Sequence, residues 1–289
     1  MSARHRIQNE PAWLLHHRPF RDTSRILDIL SRDHGRLALV ARGARSAKSK
    51  LRGVLRPFLP LSLSWAGRAE LGTLTGAEMN GAPISLSGDA LLSGYYANEL
   101  LLKLMHRHDP QPEIFALYSR TVEQLAGRER PAALLRDFEI ELLALLGYAL
   151  DLGQDALGQD DIVRDRCYEY RPGQGAVPVA PRSGAMAFSG QQLLGIRARD
   201  FDDPETLRAA GRLLRGVIAY HLDGRELNSR KVLMELHRNR AAGRAADDTG
   251  EDGLAATKSG HAADDAGGNA LADTHAGRAA DEEGDYGLG

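Results

Sequence analysis

Between Leu59 and Trp65 the chain reads Leu-Pro-Leu-Ser-Leu-Ser-Trp, so that Leu59, Leu61, Leu63 and Trp65 alternate with Pro60, Ser62 and Ser64. A repeat of two is that of a β-strand with one face buried and one wet, and a helix would scatter those four side chains around its circumference. Three earlier segments read as strands: Ala12–Arg18, Ser24–Ser31 and Arg36–Arg42, with His34-Gly35 turning the second into the third. Ala66-Gly67-Arg68 then turns the chain into a fifth strand over Glu70–Thr75. Five short strands with a longer connection, Gly43–Phe58, between the third and fourth fit an OB-type barrel. Spacing alone leaves strand order open, so an SH3-like barrel fits the same pattern.

Near residue 88 the period changes. Asp89 reads as the N-cap of a helix carrying Leu91, Leu92, Tyr95, Tyr96, Leu100 and Leu104, ended by His106–Pro110. A second helix starts near Pro112, and a third starts at Pro131 and stops at Gly147. Residues 151–188 lack periodicity, apart from a short hairpin expected over Cys167–Val179. Helical pattern returns at Pro204–Leu222 and at Ser229–Arg238. The expected fold is α+β in several domains. An N-terminal OB-fold β-barrel occupies residues 1–80, a mostly α-helical domain 85–240, and a disordered acidic tail 241–289. The tail repeats every seventeen residues, at Gly243-Arg244-Ala245-Ala246-Asp247, Gly260-His261-Ala262-Ala263-Asp264 and Gly277-Arg278-Ala279-Ala280-Asp281. One leucine per unit cannot bury a solenoid core.

Charge divides the chain as sharply as periodicity does. The first sixty residues hold thirteen Lys/Arg against four Asp/Glu, and residues 241–289 hold three against eleven, beneath a net charge of only −2. A basic block that also reads as folded is the electrostatic footprint of a nucleic-acid binder. Its densest part is Arg42, Arg45, Lys48, Lys50 and Arg52, spaced by Gly, Ser and Ala, with Arg18, Arg21, Arg25, Arg36 and Arg56 in the same barrel. Cations so spaced can follow phosphates without reading sequence. Phe20, between Pro19 and Arg21, is the best candidate for stacking on a base, whereas Trp65 falls in phase with the buried leucines.

Other chemistries find little support. His16-His17 point to opposite faces of a strand, His106 and His108 are badly spaced for one helical face, and the single cysteine, Cys167, cannot build a cysteine-rich zinc site. No phosphate-cradling glycine loop, H-E-x-x-H, G-x-S-x-G or calcium loop occurs. No cofactor or metal is expected, and an enzyme would need a site that carries no motif. The lone cysteine, the absence of an apolar leader in MSARHRIQNEPAW and the lack of any run near the ~18 apolar residues of a membrane span fit a cytoplasmic protein with no membrane partner. In the helical half, Phe115, Tyr118, Arg120, Arg128, Arg130, Arg136 and Phe138 mix aromatics with arginines. Such a surface suits an acidic, partly apolar peptide.

Several segments resemble the RecO family of recombination mediators. They are Ala12-Trp13-Leu14-Leu15-His16-His17-Arg18-Pro19-Phe20-Arg21-Asp22-Thr23-Ser24, the run from Arg32 to Arg45, Leu55–Leu61, Leu134-Leu135-Arg136-Asp137-Phe138-Glu139, and the G-x-x-L-x-S-R pattern at Gly224–Arg230. The likeness spans about residues 7–238 in order. It implies an OB-fold followed by a helical domain, and a nucleoid-associated protein that is not an enzyme. Such a protein binds single- and double-stranded DNA, anneals complementary strands, and works with RecR to load RecA on strands coated by single-strand DNA-binding protein (SSB). It also implies that the helical domain receives the acidic tail of SSB, with Arg136 in that site; Arg120 and Phe138 join it from the mixed aromatic and arginine surface. Some relatives hold zinc with four cysteines in the segment matching 151–185; only Cys167 stands here, so zinc is not expected. An RNA-binding OB protein is the alternative that the residues themselves leave open.

Overall fold

A computed structural model describes residues 6–67, 71–127, 130–181, 184–225, 227–229 and 232. Strands β1 (Arg6–Phe20), β2 (Ser24–Ser31), β3 (Gly35–Ala41), β4 (Leu61–Ala66) and β5 (Leu71–Met79) close into a barrel in the order β1-β2-β3-β5-β4. β3 and β5 pair in parallel and every other pair is antiparallel, which is the OB arrangement. The alternation predicts the interior well: Leu61, Leu63 and Trp65 are buried, alongside Ala12, Leu14, Leu27, Ile29, Leu37 and Leu39. The connection from β3 to β4 is less extended than its composition implies. It holds a single helical turn, α1 (Leu51–Val54), and drops Ala44, Leu55 and Leu59 into the barrel core. Leu59 is thus buried from a loop rather than from β4, which starts only after Pro60, a residue with no N–H to give a ladder.

The helical half contains α2 (Gly88–Leu104), α3 (Pro112–Gly127) and α4 (Pro131–Leu145). A small sheet follows, ordered β7-β6-β8 from β6 (Cys167–Arg171), β7 (Gly175–Val179) and β8 (Ala187–Ser189), and then α5 (Gly190–Arg197) and α6 (Pro204–His221). Ser87, not Asp89, is the N-cap of α2; Asp89 lies in the first turn, where its charge favours the helix dipole. The expected hairpin is present, with β8 added on its other side. α5 falls between the aperiodic stretch and the helix expected from Pro204, where no element was expected because it is only two turns long, although its capping box of Ser189 and Gln192 is a sequence signal. The helical expectation over Ser229–Arg238 and the tail expectation over 241–289 lie outside the described residues, except for Ser229 and Val232. Among the described residues no helix is long and apolar enough to cross a membrane.

One strand serves two cores. Ala12 and Leu14 of β1 face the barrel interior, while Trp13 and Leu15 face outward and join Leu30, Phe58, Tyr96, Leu100, Tyr118 and Phe138 in the core of the helical half. Leu14 pairs with Ile29 and His16 with Asp28, so Leu15 is the extra residue of a β-bulge. A bulged residue leaves backbone groups out of the ladder. Here Asn98 of α2 donates its side-chain N–H to the Leu15 carbonyl at 2.9 Å and accepts the Tyr118 hydroxyl at 2.6 Å. Tyr118 meets Trp13 edge-on at 5.6 Å, and the Trp13 indole donates to Ser119 Oγ at 2.9 Å. This chain of contacts fastens α2 and α3 to the bulge.

A second clamp holds the end of the described chain. Glu99 of α2 accepts the backbone N–H groups of Asn228 and Ser229 at 2.9 and 2.8 Å, while Leu227 packs into the helical core. Burial opposes ionisation of Glu99, but the bonds from Ser229, Asn228 and Lys103 outweigh it and hold the carboxyl below its ordinary value.

Two outcomes are expected. Asn98→Ala strands the Leu15 carbonyl and the Tyr118 hydroxyl in the core, at a cost of about 3 kcal/mol, read as a fall in Tm of roughly 6–12 °C. An unchanged Tm would contradict this role. Glu99→Gln weakens charge-assisted bonds and costs about 1 kcal/mol at neutral pH. Because the folded pKa is depressed, that stabilisation is present above the ordinary glutamate range and is lost as pH falls through the folded value. Urea midpoints of the two proteins therefore converge in acid, and a gap independent of pH would contradict the assignment.

Candidate nucleic-acid interface

Register along β1, β2 and β3 decides which side chains share the outer face of the barrel. Directly opposed residues point the same way, and Leu27, Ile29, Leu37 and Leu39 point inward. The outward set is therefore Phe20 beside Ser24, Arg18 beside Ile26 and Val40, His16 beside Asp28 and Ala38, and Leu30 beside Arg36. The bulge at Leu15 is what turns His16, Arg18 and Phe20 outward. Without the extra residue, the phase of Ala12 and Leu14 would carry them inside.

At the Phe20 end of this face the loops add more cations. The N–H of Arg45 donates to the Thr23 carbonyl at 2.8 Å and its guanidinium to the Arg21 carbonyl at 3.3 Å, folding the β3–α1 connection onto the β1–β2 turn. Arg25 pairs with Ala41, the residue before Arg42. Arg18, Arg21, Arg25, Arg42 and Arg45 thus collect at one end of the barrel, with Lys48, Lys50 and Arg52 continuing from it, and all but the half-buried Arg25 are exposed. The Arg21 guanidinium lies 5.3 Å from the centroid of the half-buried Phe20 ring, so the stacking candidate already carries a cation on its face. Arg56 is exposed but follows α1, two residues before Phe58, which packs on Tyr95 of α2.

Arg36 does not join this cluster. It sits at the opposite end of β3, about 17 Å from Ala41 by strand rise, half-buried against the helical half. Burial, and then neighbouring Arg107, hold its guanidinium below the ordinary value. Arg107, in the α2–α3 connection, was not legible as a site residue because it is remote in sequence. The N–H of His108 donates to the Arg36 carbonyl at 2.9 Å and lays this connection along the first residues of β3, which β5 does not cover. Arg107 reaches Asp28 at 3.3 Å, and His16 approaches the same carboxylate at 3.8 Å.

The second group of predicted contacts is divided. Arg120 is exposed and pairs with Glu141 across α3 and α4 at 2.8 Å, an ion pair of small energetic value in that setting. Arg136 keeps 17% exposure and donates to Glu139 at 2.8 Å, and the Tyr96 hydroxyl donates to the same buried oxygen. Burial raises the Glu139 carboxyl, with Arg136 opposing it. Phe138 is 1% exposed. It packs in the helical core and presents no surface to a peptide, because the stripe Leu134, Leu135, Phe138 and Leu142 faces inward as a unit. Tyr118 is likewise buried, whereas half-buried Phe115 helps line a cleft of about 420 Å³ with Trp13, Pro60, Ile84 and Glu123 at the junction of barrel and α3. Among the described residues no three His, Cys, Asp or Glu side chains are grouped to hold a metal ion.

Comparison with known proteins agrees with this architecture. Residues 5–82 match the family model "Recombination protein O N terminal", and residues 86–231 match "Recombination protein O C terminal". The DNA repair protein RecO of Azoarcus sp. (strain BH72) is 44% identical over 240 residues, covering 82% of this chain and 99% of the relative. Its namesake in Dechloromonas aromatica (strain RCB) is 44% identical over 241 residues with the same coverage. That of Ralstonia nicotianae is 43% identical over 239 residues, covering 82% of this chain and 87% of the relative. A five-stranded OB barrel under the first model, a helical half under the second, and relatives matched over nearly their full length lead to one conclusion: the chain belongs to the recombination protein O family.

Proposed function

We propose that this protein is a DNA repair and recombination mediator that binds single- and double-stranded DNA and anneals complementary strands. The observation that carries the reading is the gathering of Arg18, Arg21, Arg25, Arg42 and Arg45 at one end of an OB barrel, in a chain whose relatives are named for DNA repair. Guanidinium and ammonium groups there neutralise phosphates on two strands and lower the repulsion that opposes pairing. Base pairing then drives annealing, and no nucleotide hydrolysis or catalytic side chain is required. Few exposed aromatics accompany the cations, so backbone charge dominates over base readout. In this reading Arg120 and Arg136 take the acidic tail of SSB, RecR is the assembly partner, and RecA is loaded on the uncovered strand. The protein would work in the cytoplasm, at the nucleoid.

With about five phosphates engaged, log K for a single strand falls against log salt with a slope near −3.5, and a salt-independent affinity would sink the reading. Annealing of SSB-coated complementary oligonucleotides should slow in a variant carrying R42Q, R45Q, K48Q, K50Q and R52Q. Equal rates would move the DNA site off this end of the barrel. Arg136→Ala is expected to weaken capture of an acidic SSB-tail peptide at least about tenfold, as loss of a partly buried charge partner does. Unchanged capture would place the peptide elsewhere.

A further inference from the structure

The outer face of β1, β2 and β3 does not end at the barrel. Below His16 it meets the α2–α3 connection, where Arg107 and Arg36 lie side by side around a single acid. Asp28 is that acid: its side chain is 13% exposed, and it is the only carboxylate among the outward residues of β1 beyond the bulge and of the paired lengths of β2 and β3. Two guanidiniums and an imidazole thus face one carboxylate and outnumber it in charge, while Asp109, two residues past Arg107 along the connection, accepts from Gln111. The Nε–H of Arg36 is buried and has no protein partner among the described residues, which adds an unsatisfied donor to this seam. Arg107 itself keeps 40% of its side-chain surface and His16 keeps 55%, so both can be reached from solvent.

We propose that the nucleic-acid path runs from the loop end of the barrel past Arg18 and His16 onto the helical half, where Arg107 binds a phosphodiester group in competition with Asp28. The inference rests on the DNA-binding reading and adds a contact that the barrel alone does not contain. Arg18 and His16 are outward neighbours two residues apart on β1, about 6.6 Å along the strand, and they join the basic loops to Arg107 without interruption by another acid. Asp28 sets the strength of the site. A phosphate must displace its carboxylate from Arg107, so binding there is weaker than exposure alone implies and is sensitive to salt. The helical half thereby helps to fix the direction in which a strand leaves the barrel.

The test is a salt titration of a labelled mixed-sequence DNA single strand against the full chain and its variants. R107Q should make the slope shallower by about 0.7, so that a fourfold rise in salt costs about 2.5-fold less affinity than in the parent, and R107K should restore the parent slope. D28N should tighten binding at low salt in the parent background and leave it unchanged in R107Q. A parent-like slope in R107Q, beside a shallower slope in R21Q/R45Q, would overturn the Arg107 contact and leave the DNA reading intact. Parent-like slopes in both variants would overturn the reading itself. Tightening by D28N that persists in R107Q would overturn the competition between carboxylate and phosphate. Inorganic phosphate added at constant ionic strength should not displace the strand selectively from the parent relative to R107Q; selective displacement would make the seam a free-phosphate site and overturn the proposed path. Melting temperatures near the parent value for R107Q and D28N show that charge, and not folding, moves the slopes.

Discussion

The extra residue at Leu15 is the constraint on which the rest of the molecule depends. A strand that alternates strictly can supply one core and one surface. β1 has to supply the barrel core with Ala12 and Leu14, the helical core with Trp13 and Leu15, and the outer face with His16, Arg18 and Phe20. One bulge meets all three demands by shifting the phase of the strand at the point where the helices meet it. Its cost is a carbonyl left out of the ladder, and buried Asn98 offsets that cost from α2. Barrel and helices are therefore fastened through the same residue that aims the basic side chains outward.

That arrangement also explains the character of the interface. The β2–β3 side of an OB barrel is a common oligonucleotide face. Here its lower half is covered: Leu30 belongs to the helical core, Arg36 is half-buried, and His108 bonds to the edge of β3. What stays open is the end built by the β1–β2 turn and the β3–α1 connection, where the side chains are cationic and the nearest ring, Phe20, is already faced by Arg21. A surface of this kind measures phosphate density and does not discriminate bases. Indifference to sequence would suit the role in DNA repair proposed above.

Much of this was legible in the sequence, and the parts that were not share a cause. Period two in Leu61–Trp65 and period 3.6 in Leu134–Leu142 are local signals, and both the barrel and α4 follow from them. The bulge left no mark, because Leu14-Leu15 looks like two apolar residues in a row until a partner strand sets the register. Arg36 belongs with the other arginines by composition, yet a tertiary contact from residues 107–109 buries it away from them. Phe138 illustrates the opposite error: an aromatic beside an arginine in one motif reads as a binding pair, but helical spacing sends the ring into the core and leaves only Arg136 near the surface. Distances in space between residues far apart in sequence were the information that was missing.

DNA is proposed to lie on the end of the barrel where the β1–β2 turn meets the β3–α1 connection and on the outer face below it. Amide hydrogen exchange of the full chain, with and without a saturating mixed-sequence single strand, reads that placement. Exchange should slow over residues 16–25 and 42–52 and around Arg107, with β6–β8 and α6 unchanged. Protection confined to the helical half, with the 16–25 and 42–52 segments exchanging as in the free protein, would contradict it.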